Sequence, residues 1–274
     1  MDQVSSIEKS DVVNLSYPSQ CLDWKPKLSI NLEQGKYIIK TAENILDFKK
    51  VLDLRRKVFL LEFAGLDEFE AGHDFESYDM DADFLMIINK RTGQLLGSYR
   101  MICSSYSSNF YSASEFKIDS VTESSGVKLE LSRACVAKEF RSGIMIHLLW
   151  KGIGEYLKVS RSDYMFGCCS LQKLDLFNVV EVYDFLHENN GLGLDFDISP
   201  EAGYDLVAWE GVSKKSSGLY KKTNCVPAFL QSYIHAGAKV YGAPAFDQAF
   251  KCLDFFMLLD LKKLSEGHRK KYVN

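Results

Sequence analysis

The chain predicts an α+β or α/β fold built on a mixed sheet. Short apolar runs of strand length, such as Phe84-Leu85-Met86-Ile87-Ile88, recur between segments whose apolar residues repeat every three or four positions. The two patterns alternate in mixed order along the chain, which excludes the all-helix and all-strand classes. Hydrophobic residues make up 46% and aromatic residues 13% of 274, enough for one sizeable core in a domain larger than minimal.

The elements follow in order. Residues 1–35 are polar with few periodic apolar positions and read as a loosely ordered arm. Lys36–Lys40 is a first strand. Thr41 is the candidate cap of a helix that runs to about Phe63, with Asn44 at its third helical position. Ile45, Phe48, Leu52, Arg55, Phe59 and Phe63 share one stripe of that helix, and Arg55 and Arg56 at its middle read as exposed. Residues 64–83 hold eight carboxylates and His73. Such a stretch favours an open, solvated loop, or else a negative patch that receives a cationic substrate. The calcium-loop pattern is absent. Phe84–Ile88 and Leu95–Ile102 form a hairpin through the Arg91–Gln94 turn. A Ser-rich loop, Ser104–Asn109, follows and is closed by Phe110–Ser112 and Glu115-Phe116. Tyr164–Leu171 is a buried strand and Asp175–His187 a helix. Gly191–Pro200 is a loop, and Pro227–Ala236 a helix ended by Gly237. Lys239–Tyr241 and Phe255–Leu261 are late strands. The tail carries Lys262, Lys263, Arg269, Lys270 and Lys271 against Glu266 alone.

The chain is organised around Leu129–Trp150. Leu129–Val136 has the length and content of a mostly buried strand, Ala137–Gly143 breaks the pattern, and from Ile144 the apolar positions recur at helical spacing. A strand entering a helix through a Gly-containing turn points backbone N–H groups outward, a ready site for a phosphate arm. The strand nevertheless carries Glu130 and Arg133, and each needs a partner or a polar cavity if buried. Three apart, they point to opposite faces of an ideal strand. A bulge between them would bring both to one side, as bulges do beside active sites. A structural ion pair at a strand edge is the other reading.

A net charge of −4 argues against nucleic acid as a partner. The seven cysteines form no Cys-x-x-Cys pair and no cluster at zinc spacing, so no metal is expected. Scattered in apolar runs, they suit reduced thiols in a cytosol. The N-terminus lacks the apolar core of a signal peptide, and no apolar run approaches the roughly 20 residues of a membrane span. The expectation is a cytoplasmic protein.

Several motifs together resemble a known family. They are Leu54-Arg55-Arg56-Lys57-Val58-Phe59, Glu76-Ser77-Tyr78-Asp79, Ala82-Asp83-Phe84-Leu85, Gly97-Ser98-Tyr99-Arg100, Phe110–Phe116, Glu130-Leu131-Ser132-Arg133-Ala134-Cys135-Val136, Leu148–Ile153 and Phe166-Gly167-Cys168-Cys169-Ser170. In order and spacing they resemble the ornithine-lipid N-acyltransferases, in the hemolysin-like branch of the GNAT superfamily. The Glu130, Ser132, Arg133, Val136 core also resembles the acyl-homoserine-lactone synthases. The resemblance covers about residues 36–265, leaving 1–35 as an arm and 266–274 as a basic tail.

The resemblance implies an α+β fold of α/β/α sandwich type, a GNAT-like mixed sheet with flanking helices, in which two central strands splay apart and a carrier's pantetheine enters the gap. It implies transfer of a fatty, often 3-hydroxylated, acyl group from acyl carrier protein to an amine. No permanently bound cofactor is implied; the acyl-phosphopantetheine of acyl carrier protein is the donor substrate, and a small amino acid is the acceptor. Asp83 is followed here by Phe84, where the family commonly has histidine. The Arg141-Ser142-Gly143-Ile144 turn lacks the second glycine typical of acetyl-coenzyme A users, which fits a carrier-protein donor.

An acceptor amine with a pKa of about 10 is nearly all protonated at neutral pH, so a base must take its proton. Glu130, directly or through water, is the expected base. Glu76 and Asp79 are expected to hold the acceptor's cationic groups. Arg100 and Arg133 would grip its carboxylate or lock the acidic residues. Ser132, Cys135, Val136, Arg141 and Gly143 complete the expected substrate contacts, with amides near Cys135–Ala137 facing the thioester oxygen. Phe59, Phe110 and Phe116 line an acyl channel or simply fill the core. The basic tail suits acidic carrier protein, a peripheral contact with the inner membrane face, or plain solvation. Two rival functions are a signal synthase that acylates S-adenosylmethionine and a non-catalytic acyl-carrier-binding module.

Overall fold

The computed structural model describes residues 16–171, 176–205, 226–248 and 251–273. In chain order the elements are β1 (Asn31–Gln34), β2 (Tyr37–Thr41), α1 (Ile45–Arg55), β3 (Asp83–Asn89), β4 (Leu95–Cys103), β5 (Phe116–Lys117), α2 (Asp119–Thr122), β6 (Lys128–Val136), α3 (Gly143–Ser160), β7 (Tyr164–Leu171), α4 (Leu176–Glu188), β8 (Ser199–Pro200), α5 (Ala228–Ala236), β9 (Lys239–Val240), β10 (Ala245–Asp247), β11 (Cys252–Asp260) and α6 (Glu266–His268). The main sheet runs β1-β2-β3-β4-β6-β7-β11-β10, with β9 on β11, and β5 pairs separately with β8. Neighbours are antiparallel except β6 and β7. This is the mixed, helix-covered sheet of a GNAT-like fold.

Both sheet faces are buried, which is why the central strands read as unbroken apolar runs. On β3, Leu85 and Ile87 enter one core with Leu148 and Leu149 of α3, Val182 of α4 and Leu230 of α5. Phe84, Met86 and Ile88 enter the other with Phe48 and Leu52 of α1. The helices therefore lie in two layers around the sheet.

β6 and β7 are registered only at Lys128–Tyr164, Leu129–Met165 and Glu130–Phe166. Beyond those pairs the strands part, and the splay that the resemblance implied is present. The last close approach is at Gly167, where an added Cβ would lie 2.1 Å from the Leu131 carbonyl oxygen. Gly167→Ala must push the strands apart or twist them, so it should cost at least about 2 kcal/mol. An unchanged denaturation midpoint would contradict that approach.

Several boundaries differ from expectation. The cap of α1 is Asn44, whose side chain accepts from the amides of Leu46 and Asp47. Thr41 belongs to β2; its hydroxyl accepts from Ile30 N and donates to Leu28 O, pinning the preceding chain. The helix continues as a π-helical stretch, Arg56–Phe63. Residues 1–15 lie outside the described residues, but the rest of the expected arm is packed. β1 lies against β2, Cys21 and Trp24 are buried, and Trp24 Nε1 donates to Ala82 O. The expected helix start at Asp175 also lies outside the described residues. The tail folds back on α3: Tyr272 stacks on Trp150, its hydroxyl meets His147 Nδ1, and its backbone lies against Gly154. Lys263 pairs with Asp195 and Lys270 with Glu266.

Candidate active site

The site begins with a bulge in β6. Ser98 faces Cys135 and Arg100 faces Ser132, so β6 carries one extra residue opposite β4. That residue is Arg133, in the left-handed region at φ 50°. The bulge turns Arg133 to the face that Glu130 and Ser132 occupy, while Ala134 and Val136 turn to the other. A non-glycine residue there costs of order 1–3 kcal/mol and persists only where its surroundings hold it.

What holds it is a network of buried charges. Arg55 of α1 donates to Asp74 at 2.8 Å and to Asp79 at 2.6 Å. Arg100 of β4 donates to Ser132 Oγ, to Glu76 at 2.6 Å and to Asp79 at 3.1 Å. Arg133 donates to the other oxygen of Glu76, and its Nε lies 3.6 Å from Asp74. Burial pushes the Asp74 carboxyl up, but the Arg55 and Arg133 guanidinium groups outweigh it and hold Asp74 below the usual carboxylate range. The acidic stretch is thus an arginine-locked wall at this point, and Arg55 is buried, not exposed.

Glu130 lies on this face with no exposed surface. Its oxygens accept from Tyr111 N at 2.8 Å and Ser112 N at 2.7 Å, and burial raises its pKa. It ties the 110–115 loop to the sheet. The Tyr111 ring then carries the Arg133 guanidinium 4.9 Å from its centre, and its hydroxyl donates to Glu115 at 2.6 Å.

Where β6 and β7 part, a cleft of about 240 Å³ opens. One side is lined by Ser132, Arg133 and Ala134 of β6 with Phe59, Phe63 and Tyr111. The floor is Gly167–Ser170 of β7, and the far side is Asp247 of β10 with Cys252 and Asp254 of β11. Ser170 lies opposite Asp254 and donates to it; Cys252 donates to its other oxygen at 3.4 Å. Asp247, Cys252 and Asp254 bring ligand atoms within 4.8 Å of one another and are the described residues placed to hold a cation.

The Glu115 carboxyl lies beside this group, and burial, with the charges of Asp254 and Asp247, raises its pKa to about 8. Between the ordinary value and about 8 the folded protein keeps a proton that the unfolded chain has lost. Its contribution to stability is therefore full at low pH and declines as pH rises through that window. Glu115→Gln should flatten the fall in unfolding midpoint between pH 5 and 8 and gain on wild type as pH rises. Parallel profiles would contradict a raised Glu115.

The structure sorts the expected contacts. Of these, Phe59, Ser132 and Arg133 line the cleft. Phe110 and Phe116 are core side chains against Phe166 and Phe256. Cys135 packs with Leu54 and Val58, and Val136 joins the α3-side core. Of the amides expected to face a thioester, that of Ala137 donates to Leu96 O. Arg141 forms a forked pair with Glu62, both contacts 2.6 Å, and its Nε donates to Val136 O; Gly143 opens α3 after Ser142. Asp79 and Arg100 are buried in the network, and Glu76 is spanned by Arg100 and Arg133. Cys135 and Cys169 are pushed up to about 12 by burial, so they are thiols here. Sequence reasoning missed Tyr111, Glu115, Asp247 and Asp254. The available signal was Asp254 itself, a carboxylate in the apolar run Cys252-Leu253-Asp254-Phe255-Phe256.

Residues 54–151 match the acetyltransferase (GNAT) domain model. The chain is 29% identical over 250 residues to an L-ornithine N(alpha)-acyltransferase of Rhizobium meliloti (strain 1021), covering 85% of this chain and 83% of that one. It is 27% identical to the enzyme of the same name from Agrobacterium fabrum, covering 84% and 83%. Among solved structures, an N-acyl amino acid synthase from uncultured soil microbes aligns with a TM-score of 0.47 and 9% identity, covering 88% and 97%. Among the described residues no helix is long and apolar enough to cross a membrane. The chain thus has a GNAT-like fold, carries a GNAT domain match over residues 54–151 and is similar over most of its length to proteins named L-ornithine N(alpha)-acyltransferase, which supports an acyltransferase.

Proposed function

We propose that the protein transfers a fatty acyl group from the phosphopantetheine thioester of acyl carrier protein to the α-amine of ornithine or a similar amino acid, in the synthesis of an amino-acid-containing lipid. The observation that carries this reading is the cleft where β6 and β7 part, a gap that can admit a pantetheine arm, with the Arg133 guanidinium on its wall to take an acceptor carboxylate.

In this reading Arg133 takes the acceptor carboxylate in a two-pronged contact. The pantetheine arm enters between the parted strands, and the acyl chain runs past Phe59 and Phe63. The α-ammonium gives up its proton to cleft water, and the free amine attacks the thioester carbonyl. The C–S bond then breaks, the nitrogen sheds its second proton, and the departing thiolate takes up a proton in turn. Glu130 acts at one remove: its two bonds to the 111–112 backbone place Tyr111 under Arg133. The carrier-protein donor is supported by the lone Gly143 in the turn before α3.

Purified protein given 3-hydroxyacyl carrier protein and ornithine should yield N-acylornithine by mass spectrometry. No amide from any common amino acid would overturn the reading. Equal use of free acyl-coenzyme A would overturn its carrier-protein part.

A further inference from the structure

The far side of the cleft is a carboxylate group that the transfer chemistry above does not use. β10 and β11 pair so that Asp247 faces Cys252, and Asp254 follows two positions on, on the same sheet face. Asp254 and Glu115 are 4% and 1% exposed, and among the described residues neither forms an ion pair. Glu115 Oε2 is buried and has no hydrogen-bond partner, while Oε1 accepts from Tyr111. For Asp254 and Glu115, burial without an ion pair is costly and calls for a cation.

Position supplies the rest. β6 and β11 are separated by β7 alone, so Arg133 and Asp254 lie at least two strand spacings apart, about 10 Å. The two side chains take up part of that distance, and an extended ornithine, about 7 Å from carboxylate to side-chain nitrogen, can bridge the rest. Both residues line the same cleft, with the Ser170 hydroxyl beside Asp254.

We infer that Asp254, with Asp247 and Glu115, binds the side-chain ammonium of a basic amino-acid acceptor and makes the enzyme selective for diamino acids. This inference rests on the acyl-transfer reading and specifies its acceptor. The carboxylates select; they do not touch the reacting atoms.

The experiment compares ornithine with norvaline, which has the same carbon chain without the amine. Wild type should favour ornithine by about 100-fold or more in kcat/KM. Asp254→Asn should lower kcat/KM for ornithine about 100-fold, mainly through KM, and leave norvaline nearly unchanged. Asp247→Asn should act in the same direction. Selectivity in wild type should survive a chelator. Equal use of ornithine and norvaline by wild type would overturn the inference without any variant and leave the acyl-transfer reading standing. Equal losses for both acceptors in Asp254→Asn would overturn it as well. So would selectivity lost to chelator and restored by a divalent metal, which would make the cluster a metal site. Wild type that acylates neither acceptor would sink both readings.

Discussion

Replacing Arg133 with lysine should lower kcat/KM for the amino-acid acceptor about 100-fold while leaving the protein folded. Lysine keeps the charge but offers a point cation where the guanidinium offers a planar fork. Losing one partner of a close, desolvated charge pair costs about 2–5 kcal/mol, and 100-fold lies within that range. The residue is well placed for such a loss. It sits at the extra position of β6, lines the cleft, and is held by Glu76, Asp74 and the Tyr111 ring. The loss should fall on acceptor KM more than on kcat, because the fork binds and aligns the acceptor. Steady-state kinetics with acceptor varied at saturating donor measure it. Intact activity would remove Arg133 from acceptor binding, and a collapsed melting curve would show that its role is structural alone.

Asp79→Ala should be the most destabilising single change in the site, by about 3–5 kcal/mol. Asp79 is fully buried and bridges two buried guanidinium groups, Arg55 at 2.6 Å and Arg100 at 3.1 Å. Its other oxygen accepts from Glu76 N at 2.8 Å. Removing it leaves two buried cations without the closest anion they share, with only the partly exposed Glu76 still near both. For a chain of this size the unfolding midpoint should drop by about 10 °C. Glu76→Gln, at a partly exposed carboxylate, should cost less. A fall below about 1 kcal/mol for Asp79→Ala would mean that the arginines find other partners.

Much of this arrangement was legible in advance. β3, β4, β6 and β7 are covered on both faces, so apolar runs announced them nearly to the residue. β1 was not legible: Asn31-Leu32-Glu33-Gln34 is a polar strand at the sheet edge, without a buried face to impose alternation. The cap of α1 went to Asn44 because Thr41 was already committed to Ile30 and Leu28. Arg55 sits on the apolar stripe of its helix. Its burial depends on Asp74 and Asp79, 19 and 24 residues away, which helical spacing does not reveal.

A bulge was one of two readings for Glu130 and Arg133, and β6 has one at Arg133. Its consequence was not legible, because the oxygens of Glu130 are taken by amides 18 and 19 residues earlier in the chain. Asp247 and Asp254 come together only through the β10–β11 pairing. No spacing rule of a helix or a single strand links them.

The most direct measurement is a crystal structure with a non-hydrolysable thioether analogue of acyl-phosphopantetheine. The arm should lie between Ser132–Val136 of β6 and Cys168–Leu171 of β7, with the acyl chain toward Phe59 and Phe63. Density for the analogue outside this gap, with the strands still parted and empty, would contradict the account.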